Sequence, residues 1–234
     1  MTAQEIINQL QALGNESIKK TLLKHGAREP FFGVKAEDIK KIQKKLKKNH
    51  ELSMELFETG NSDAMYLAGL IADETKISKD ELNQWVKNAY WYYISEYAVP
   101  WVAADSPFGF ELAAEWIQSD KETIASAGWA TYSNLMMIKK DEEIDLNLIS
   151  ALLDKIEKEI HQSANRVRYT MNGFVIATGA FVKDLHEKAI TIASQIGKVE
   201  VDMGGTACKV PLATEYIQKT LNRTAFKKKK QARC

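Results

Sequence analysis

The sequence has few of the residues that interrupt helices or crosslink chains. Its 234 residues include 12 glycines, 4 prolines and 2 cysteines. So few turn-forming residues favour long helices over a many-stranded sheet. Two cysteines, Cys208 and Cys234, are too few for a disulfide framework or a four-ligand zinc site. The four histidines have no metal-ligand spacing, so we expect no metal site and no cofactor.

Long apolar runs are also absent. No stretch stays apolar for the roughly 18 residues that a membrane helix requires. The first ten residues, MTAQEIINQL, lack the basic-then-apolar order of a signal peptide. The sequence therefore predicts a cytoplasmic protein with no membrane partner.

Apolar residues recur at helical spacing through most of the chain, and Thr2 and Glu5 are spaced as a capping box. The pattern predicts about twelve helices joined by short loops, which form one domain over residues 1–222. The exception is residues 198–210, where short apolar runs flank Gly204 and Gly205 and predict a small hairpin.

The predicted helix pairs begin near residues 36, 62, 91, 121 and 165. This spacing is too uneven for a strict repeat, but it suits stacked HEAT-like helical hairpins of the armadillo type. The fold predicted is therefore an all-α superhelical solenoid, and a compact irregular bundle is the alternative. A curved stack offers a concave surface on which a long polymer can lie.

The nearly neutral net charge of +1 conceals two basic ends around an acidic middle. Residues 1–50 carry 11 basic and 5 acidic side chains, residues 51–160 carry 8 and 21, and residues 161–234 carry 13 and 5. Basic ends that meet on one face attract a polyanion, whereas separate ends are simply solvated. Residues 223–234 are predicted to form a basic C-terminal tail that either holds a polyanion loosely or is disordered.

Three segments carry a resemblance to a known family. They are EPFFGVKAEDIK at residues 29–40, the aromatic cluster at residues 90–101, and RVRYTMNGF at residues 166–174. Together they resemble the AlkD-like DNA alkylation repair family of HEAT-like proteins, over about residues 15–196. The resemblance implies a helical solenoid with DNA on its concave face.

The resemblance also implies a chemistry. Active members are glycosylases that release N3- and N7-alkylated purines from a cleft with tryptophans, an aspartate and an arginine. The tryptophan rings favour a cation, and the carboxylate stabilises the positive charge that develops on the sugar. In this sequence the Trp-x-x-x-Asp element matches Tyr92 and Glu96, and a one-residue slip pairs Trp91 with Ser95 instead. Glu96 is therefore the candidate catalytic residue.

Other catalytic positions depart from the family pattern too. The later tryptophan is matched by Phe174, and the segment that should supply the arginine, residues 123–129, contains none. Glutamate in place of aspartate moves the carboxylate by about an ångström, a displacement that positioned catalysis rarely tolerates. These departures favour a protein that has lost base excision.

Candidate DNA contacts follow from residue type and position in the matched segments. Arginine fits phosphate geometry, lysine supplies a point charge, and aromatic rings stack on bases. The candidates are Trp91, Tyr92, Trp101, Lys139, Lys140, Arg166, Arg168, Phe174, Lys44 and Lys48. Three further tryptophans, Trp85, Trp116 and Trp129, are assigned to the core.

The charge pattern and the resemblance together predict a protein that binds duplex, damaged or branched DNA without excising bases. An active alkylpurine glycosylase is the enzymatic alternative. A HEAT-like scaffold is the alternative from another class, since the acidic middle of the chain suits a basic protein partner.

Overall fold

The computed structural model of the protein describes residues 1–233, and within them it contains thirteen α-helices and no strand. The helices are α1 (Ala3–Ala12), α2 (Glu16–Lys24), α3 (Ala36–Leu46), α4 (His50–Glu58), α5 (Ser62–Ile71), α6 (Lys79–Asn88), α7 (Val99–Asp105), α8 (Gly109–Trp116), α9 (Glu122–Ile138), α10 (Leu146–Glu159), α11 (Asn165–Phe181), α12 (His186–Ile196) and α13 (Ala213–Thr224). The predicted all-α fold is confirmed. No described helix is both long and apolar enough to cross a bilayer.

Side-chain caps define where several helices begin. The predicted capping box of α1 is confirmed, because Glu5 N donates to Thr2 Oγ1 at 3.2 Å and Thr2 N donates to Glu5 Oε2 at 2.8 Å. Asn15 caps α2 by accepting from Ile18 N at 3.0 Å. Such caps satisfy backbone N–H groups that have no partner inside the helix.

Three helices, α5, α9 and α11, form the inner layer of the stack. Every residue of α5 is buried, and α9 and α11 are buried along most of their 17 residues. Helices without a polar face must be enclosed by others, so α4 packs on α5, α8 on α9, and α12 and α13 on α11. The core positions predicted for Trp85, Trp116 and Trp129 are confirmed.

The segment EPFFGV is a structural turn that α5 holds in place. One carboxylate, that of Asp63, accepts backbone N–H bonds from Phe32 at 2.6 Å, Gly33 at 3.1 Å and Val34 at 3.1 Å. Gly33 has φ +75°, and a Cβ there would lie 2.7 Å from Lys19 N, so only glycine fits. The motif therefore ties the chain before α3 to the inner layer.

The predicted hairpin at residues 198–210 is not formed, since the segment is an irregular loop with a turn at Gly204 and Gly205. Side-chain bonds replace the strand ladder: Asn165 Nδ2 donates to Asp202 O at 2.9 Å and Asn165 Oδ1 accepts from Asp202 N at 2.7 Å. A Cβ on Gly204 would lie 2.0 Å from Lys24 O, so the loop touches the end of α2 through backbone alone. The loop thus joins the first helical pair to α11.

Residues 225–233, which we name the C-terminal strap, fold back across the helical stack instead of extending freely into solvent. Lys229 N donates to Met137 O at 2.8 Å in the last turn of α9, and Lys228 Nζ donates to Met136 O at 3.0 Å. Further along, Ala232 N donates to Asp105 Oδ1 at 2.9 Å at the end of α7. The strap therefore runs first over the carboxyl end of α9 and then over that of α7.

Arg233 anchors the end of this strap. Its Nη1 donates to Ala72 O at 2.5 Å, just after α5, its Nε bonds Asp105 Oδ2 at 3.1 Å, and its Nη2 pairs with Glu74. Carbonyl groups at helix carboxyl ends lack intrahelical donors and carry partial negative charge, which cations satisfy. This complementarity explains why a run of lysine and arginine is held on the protein.

Candidate functional site

The candidate catalytic residue, Glu96, lies in an ion pair at the centre of the molecule. It belongs to a π-helical turn at Ile94–Ala98, directly before α7. Its carboxylate accepts two bonds from Arg166 of α11, Nε to Oε1 at 2.8 Å and Nη2 to Oε2 at 2.6 Å. The Glu96 side chain is only 2% exposed and that of Arg166 14%. The structure thus brings together two residues that the sequence predicts for the site, Glu96 and Arg166, but they bind each other.

Aromatic rings enclose the arginine of this pair. The Arg166 guanidinium lies 4.2 Å from the ring centre of Tyr92 and 4.4 Å from that of Tyr169. A guanidinium between two rings gains cation–π stabilisation that increases as water is excluded. Glu122 of α9 adds a bond by accepting from Arg166 N at 2.7 Å. Three parts of the chain therefore meet at this cluster.

Burial dominates the electrostatics of the cluster. Burial raises the pKa of Glu96 to about 7, although the adjacent Arg166 favours the ionised form. Burial also raises the pKa of Tyr92 to about 12 and raises those of Tyr97 and Tyr169, so these phenols stay neutral. When a bidentate arginine already compensates the negative charge of a carboxylate, that carboxylate has little capacity to stabilise a second cation.

Most predicted aromatic contacts lie in the core. Trp91, Trp101 and Phe174 are buried, with Phe174 fully enclosed beside Trp129. Trp91 Nε1 donates to Ser62 Oγ at 2.9 Å, a bond that holds α5 to the π-helical turn. Little of these three rings is open to solvent, and as DNA contacts they stay predictions.

The predicted lysines remain largely on the surface. Lys44 is exposed and makes no ion pair within the described residues, and Lys140 is exposed as well. Lys48 is exposed and pairs with Glu74, while Lys139 is partly covered and lies 3.9 Å from Glu143. These four side chains stay predictions as DNA contacts.

Arg168 differs from its neighbour Arg166. It is partly buried, and its Nε has no hydrogen-bond partner among the described residues. The side chain borders a groove of about 700 Å³ beside Lys198, Cys208 and Lys209 of the loop that replaces the predicted hairpin. Arg168 is therefore the arginine of α11 that borders this groove, and it forms no ion pair among the described residues.

A cavity of about 460 Å³ lies next to Glu96 and extends under the C-terminal strap. We name it the strap cavity. Trp101 of α7 and Tyr169 of α11 line one part of it, and Lys229 and Ala232 of the strap line another. Since the residues that form it come from four separated parts of the chain, sequence reasoning did not detect it.

Sequence reasoning also missed two partners of Arg166. Tyr169 stands three residues after Arg166 on α11, a spacing at which helical side chains are neighbours, so local pattern could have found it. Glu122 has no comparable signal, because only tertiary packing brings α9 to the start of α11.

Comparisons with known proteins identify a matching family and two relatives by sequence. The family model described as DNA alkylation repair enzyme matches residues 6–217. The Listeria innocua uncharacterised protein Lin0241 is 35% identical, over 95% of this chain and 99% of its own length. The Listeria monocytogenes uncharacterised protein Lmo0209 is 36% identical, over 96% and 99%.

A solved structure resembles the whole fold. That structure represents what is described as "a new family of proteins related to the HEAT-like repeat DNA glycosylases with affinity for branched DNA structures". It is 39% identical, covers all of both chains and superposes with a TM-score of 0.90. The predicted HEAT-like fold is confirmed by this match.

Proposed function

Because this chain belongs to the DNA alkylation repair family, we propose that it binds DNA, that it prefers branched over linear duplex, and that it does not excise alkylated bases. The preference is carried by the 39% identical structure, whose family is described as having affinity for branched DNA. Its match along the entire chain makes a shared DNA-binding surface the simplest inference. A cytoplasmic location remains a prediction.

The Glu96–Arg166 pair supports the absence of excision. A glycosylase needs a carboxylate free to face the sugar as positive charge develops on it. In this protein both oxygens of Glu96 accept bonds from Arg166 at 2.6–2.8 Å, and the carboxylate is buried. At the matched aromatic positions, the ring of Tyr92 lies against the Arg166 guanidinium and Phe174 is buried in the core.

Exposed lysines near the amino end of the chain support phosphate binding. In α3 and just after it, Lys41, Lys44, Lys45, Lys47 and Lys48 are all exposed. Lysine contacts to phosphate release counterions, so DNA affinity should fall steeply with salt. Arg168 adds a positive charge on α11 that borders an open groove and forms no ion pair among the described residues.

Fluorescence anisotropy with the full chain tests this proposal. Labelled four-way junction, linear duplex, single strand and alkylated duplex are titrated across a salt series. We expect the junction to bind most tightly, with a log–log salt slope of several units. Equal affinity for junction and linear duplex would contradict the branched preference, and no binding at low salt would remove DNA as the ligand.

Release of base from N7-methylguanine and N3-methyladenine duplexes is measured in parallel by alkali-induced strand cleavage. We expect no release above the spontaneous rate. Enzyme-dependent release that disappears in Glu96→Gln would establish the glycosylase alternative. The Glu96→Gln protein must first show a native circular dichroism spectrum, because this residue also stabilises the core.

A further inference from the structure

The strap cavity has the size and lining of a small-molecule site. Its volume of about 460 Å³ lies within the range of about 300–1,000 Å³ that is typical of ligand pockets. Apolar side chains from three helices form much of its wall: Trp101 of α7, Met137 of α9, and Ile176 and Phe181 of α11. Such a wall favours an aromatic or alkyl body over a hydrated ion.

Positive charge is concentrated at the outer side of the same cavity. Arg223, at the end of α13, and Lys229 of the strap line it and are exposed. Neither forms an ion pair within residues 1–233, unlike Lys228 and Arg233 of the strap, which pair with Asp141 and with Glu74 and Asp105. The unpaired cations thus lie where a ligand would meet solvent.

The one acidic residue of the wall does not oppose this charge. Glu96 also lines the cavity, but it is buried and its carboxylate is compensated by Arg166. The cavity therefore combines an apolar interior with a cationic rim. The chemical complement of that arrangement is a molecule with an apolar body at one end and an anionic group at the other.

We propose that the strap cavity binds a small amphipathic anion, with an aromatic or alkyl body enclosed by α7, α9 and α11 and a carboxylate, sulfonate or phosphate facing Arg223 and Lys229. This site contains neither the exposed lysines of α3 nor Arg168, although it includes Trp101, which the sequence predicts as a DNA contact. Because Lys229 and Ala232 belong to the strap, the bound molecule also holds the strap against the helices.

The probe for this site is 1-anilinonaphthalene-8-sulfonate, an aromatic sulfonate whose fluorescence rises when water is excluded. We expect saturable one-to-one binding to the full-length protein with a blue-shifted emission. Decanoate, an alkyl carboxylate, should displace the probe. Absence of saturable binding, or a signal that appears only as the protein unfolds, would overturn the proposal.

Gly173 allows the cavity to be filled without damage to the fold. It lies in α11 on the cavity wall, and a Cβ there would meet only Ser133 Oγ, at 4.0 Å. Gly173→Leu should weaken probe binding about tenfold or more while the thermal midpoint holds or rises, because leucine favours a helix over glycine. Gly173→Ala is the matched control and should keep binding. Unchanged affinity in Gly173→Leu would place the probe elsewhere.

The rim is tested by charge. The double variant Arg223→Gln/Lys229→Gln should weaken the probe several-fold, whereas Lys20→Gln/Lys158→Gln, two exposed lysines outside the cavity, should not. An equal loss of probe affinity in both double variants would show that only the net charge matters, and it would overturn the assignment of Arg223 and Lys229 to the rim. Gly173→Leu should leave junction binding unchanged, and a loss there would assign the cavity to DNA instead.

Discussion

The two basic ends of the chain use their positive charge in different ways. In the amino-terminal part, the lysines of α3 and the residues after it are mostly exposed, and Lys44 has no ion-pair partner among the described residues. In the carboxyl-terminal part, Arg166 and Arg233 are buried in ion pairs with Glu96, Glu74 and Asp105. The first kind of charge is available to a polyanion, and the second holds helices together.

The difference comes from what each segment meets. The strap crosses the carboxyl ends of α5, α7 and α9, where it meets the carbonyl groups of Ala72 and Met137 and the carboxylate of Asp105. Helix α3 buries Ile39 and Ile42 against the core and turns its lysines outward. A run of positive charge is therefore a structural element when it meets unsatisfied acceptors, and a candidate binding surface when it meets only water.

The largest effect is expected at the buried pair. Arg166→Met should destabilise the protein by about 3–5 kcal/mol, because removing this partner leaves the carboxylate of Glu96 buried and uncompensated. The double variant Glu96→Leu/Arg166→Met should cost less than the single one, since both charges are then gone. Urea unfolding of both variants measures the difference. A single variant as stable as wild type would mean that Arg166 is not held as described.

A somewhat smaller effect is expected at the end of the strap. Arg233→Ala should cost about 2–3 kcal/mol, because Asp105 and Glu74 lose their shared partner and the Ala72 carbonyl its donor. Hydrogen exchange should increase for the amides of Lys229 and Ala232. As a matched control, Lys230→Ala changes an exposed strap residue and should cost less than about 0.5 kcal/mol. Equal losses would remove Arg233 as the anchor.

Two glutamates should give opposite dependences of stability on pH. Burial raises the pKa of Glu96 to about 7, so between its unfolded value of about 4.3 and 7 the folded protein retains a proton that the unfolded chain has released. The contribution of Glu96 therefore falls as pH rises through that window, with a slope of at most about 1.4 kcal/mol per pH unit.

Glu74 should behave in the opposite sense. Although burial opposes it, the Lys48 hydrogen bond and the Arg233 charge lower the pKa of Glu74. The stability that it contributes is present above its unfolded pKa and is lost as pH falls through the lowered folded value. Measuring the free energy of unfolding of wild type, Glu96→Gln and Glu74→Gln from pH 3.5 to 8 separates the contributions of the two glutamates. A Glu96→Gln profile parallel to wild type would contradict the raised pKa.

The smallest effect on stability is expected at α3. Lys44→Glu should change the free energy of unfolding by less than about 0.5 kcal/mol, because the side chain is exposed and unpaired. If α3 contacts phosphate, the Lys44→Glu protein should bind the four-way junction more weakly, and the log–log salt slope should decrease by about 1. Lys158→Glu, an exposed lysine of α10, is the charge-matched control. Equal loss in both variants would show a nonspecific effect of net charge.

Sequence reasoning predicted well what depends on local pattern. The capping box of Thr2 and Glu5, the all-α class and the burial of Trp85 all follow from neighbours within a turn or two of helix. It predicted the site less well. The sequence predicts Trp101 as a DNA contact, and the structure buries most of its ring against Tyr66 and Tyr97. Aromatic side chains look alike in sequence whether they face a ligand or another helix.

The helices, their caps and their apolar faces can be read from the amino-acid sequence, because these depend on spacing within a few residues. Which charges are free is a matter of the tertiary fold. Glu96 and Arg166 are 70 residues apart, and Asp105 and Arg233 are 128 apart. Whether such residues neutralise each other or remain available to DNA depends on how the helices stack, since electrostatic pairing requires contact and contact across such separations is a property of the fold.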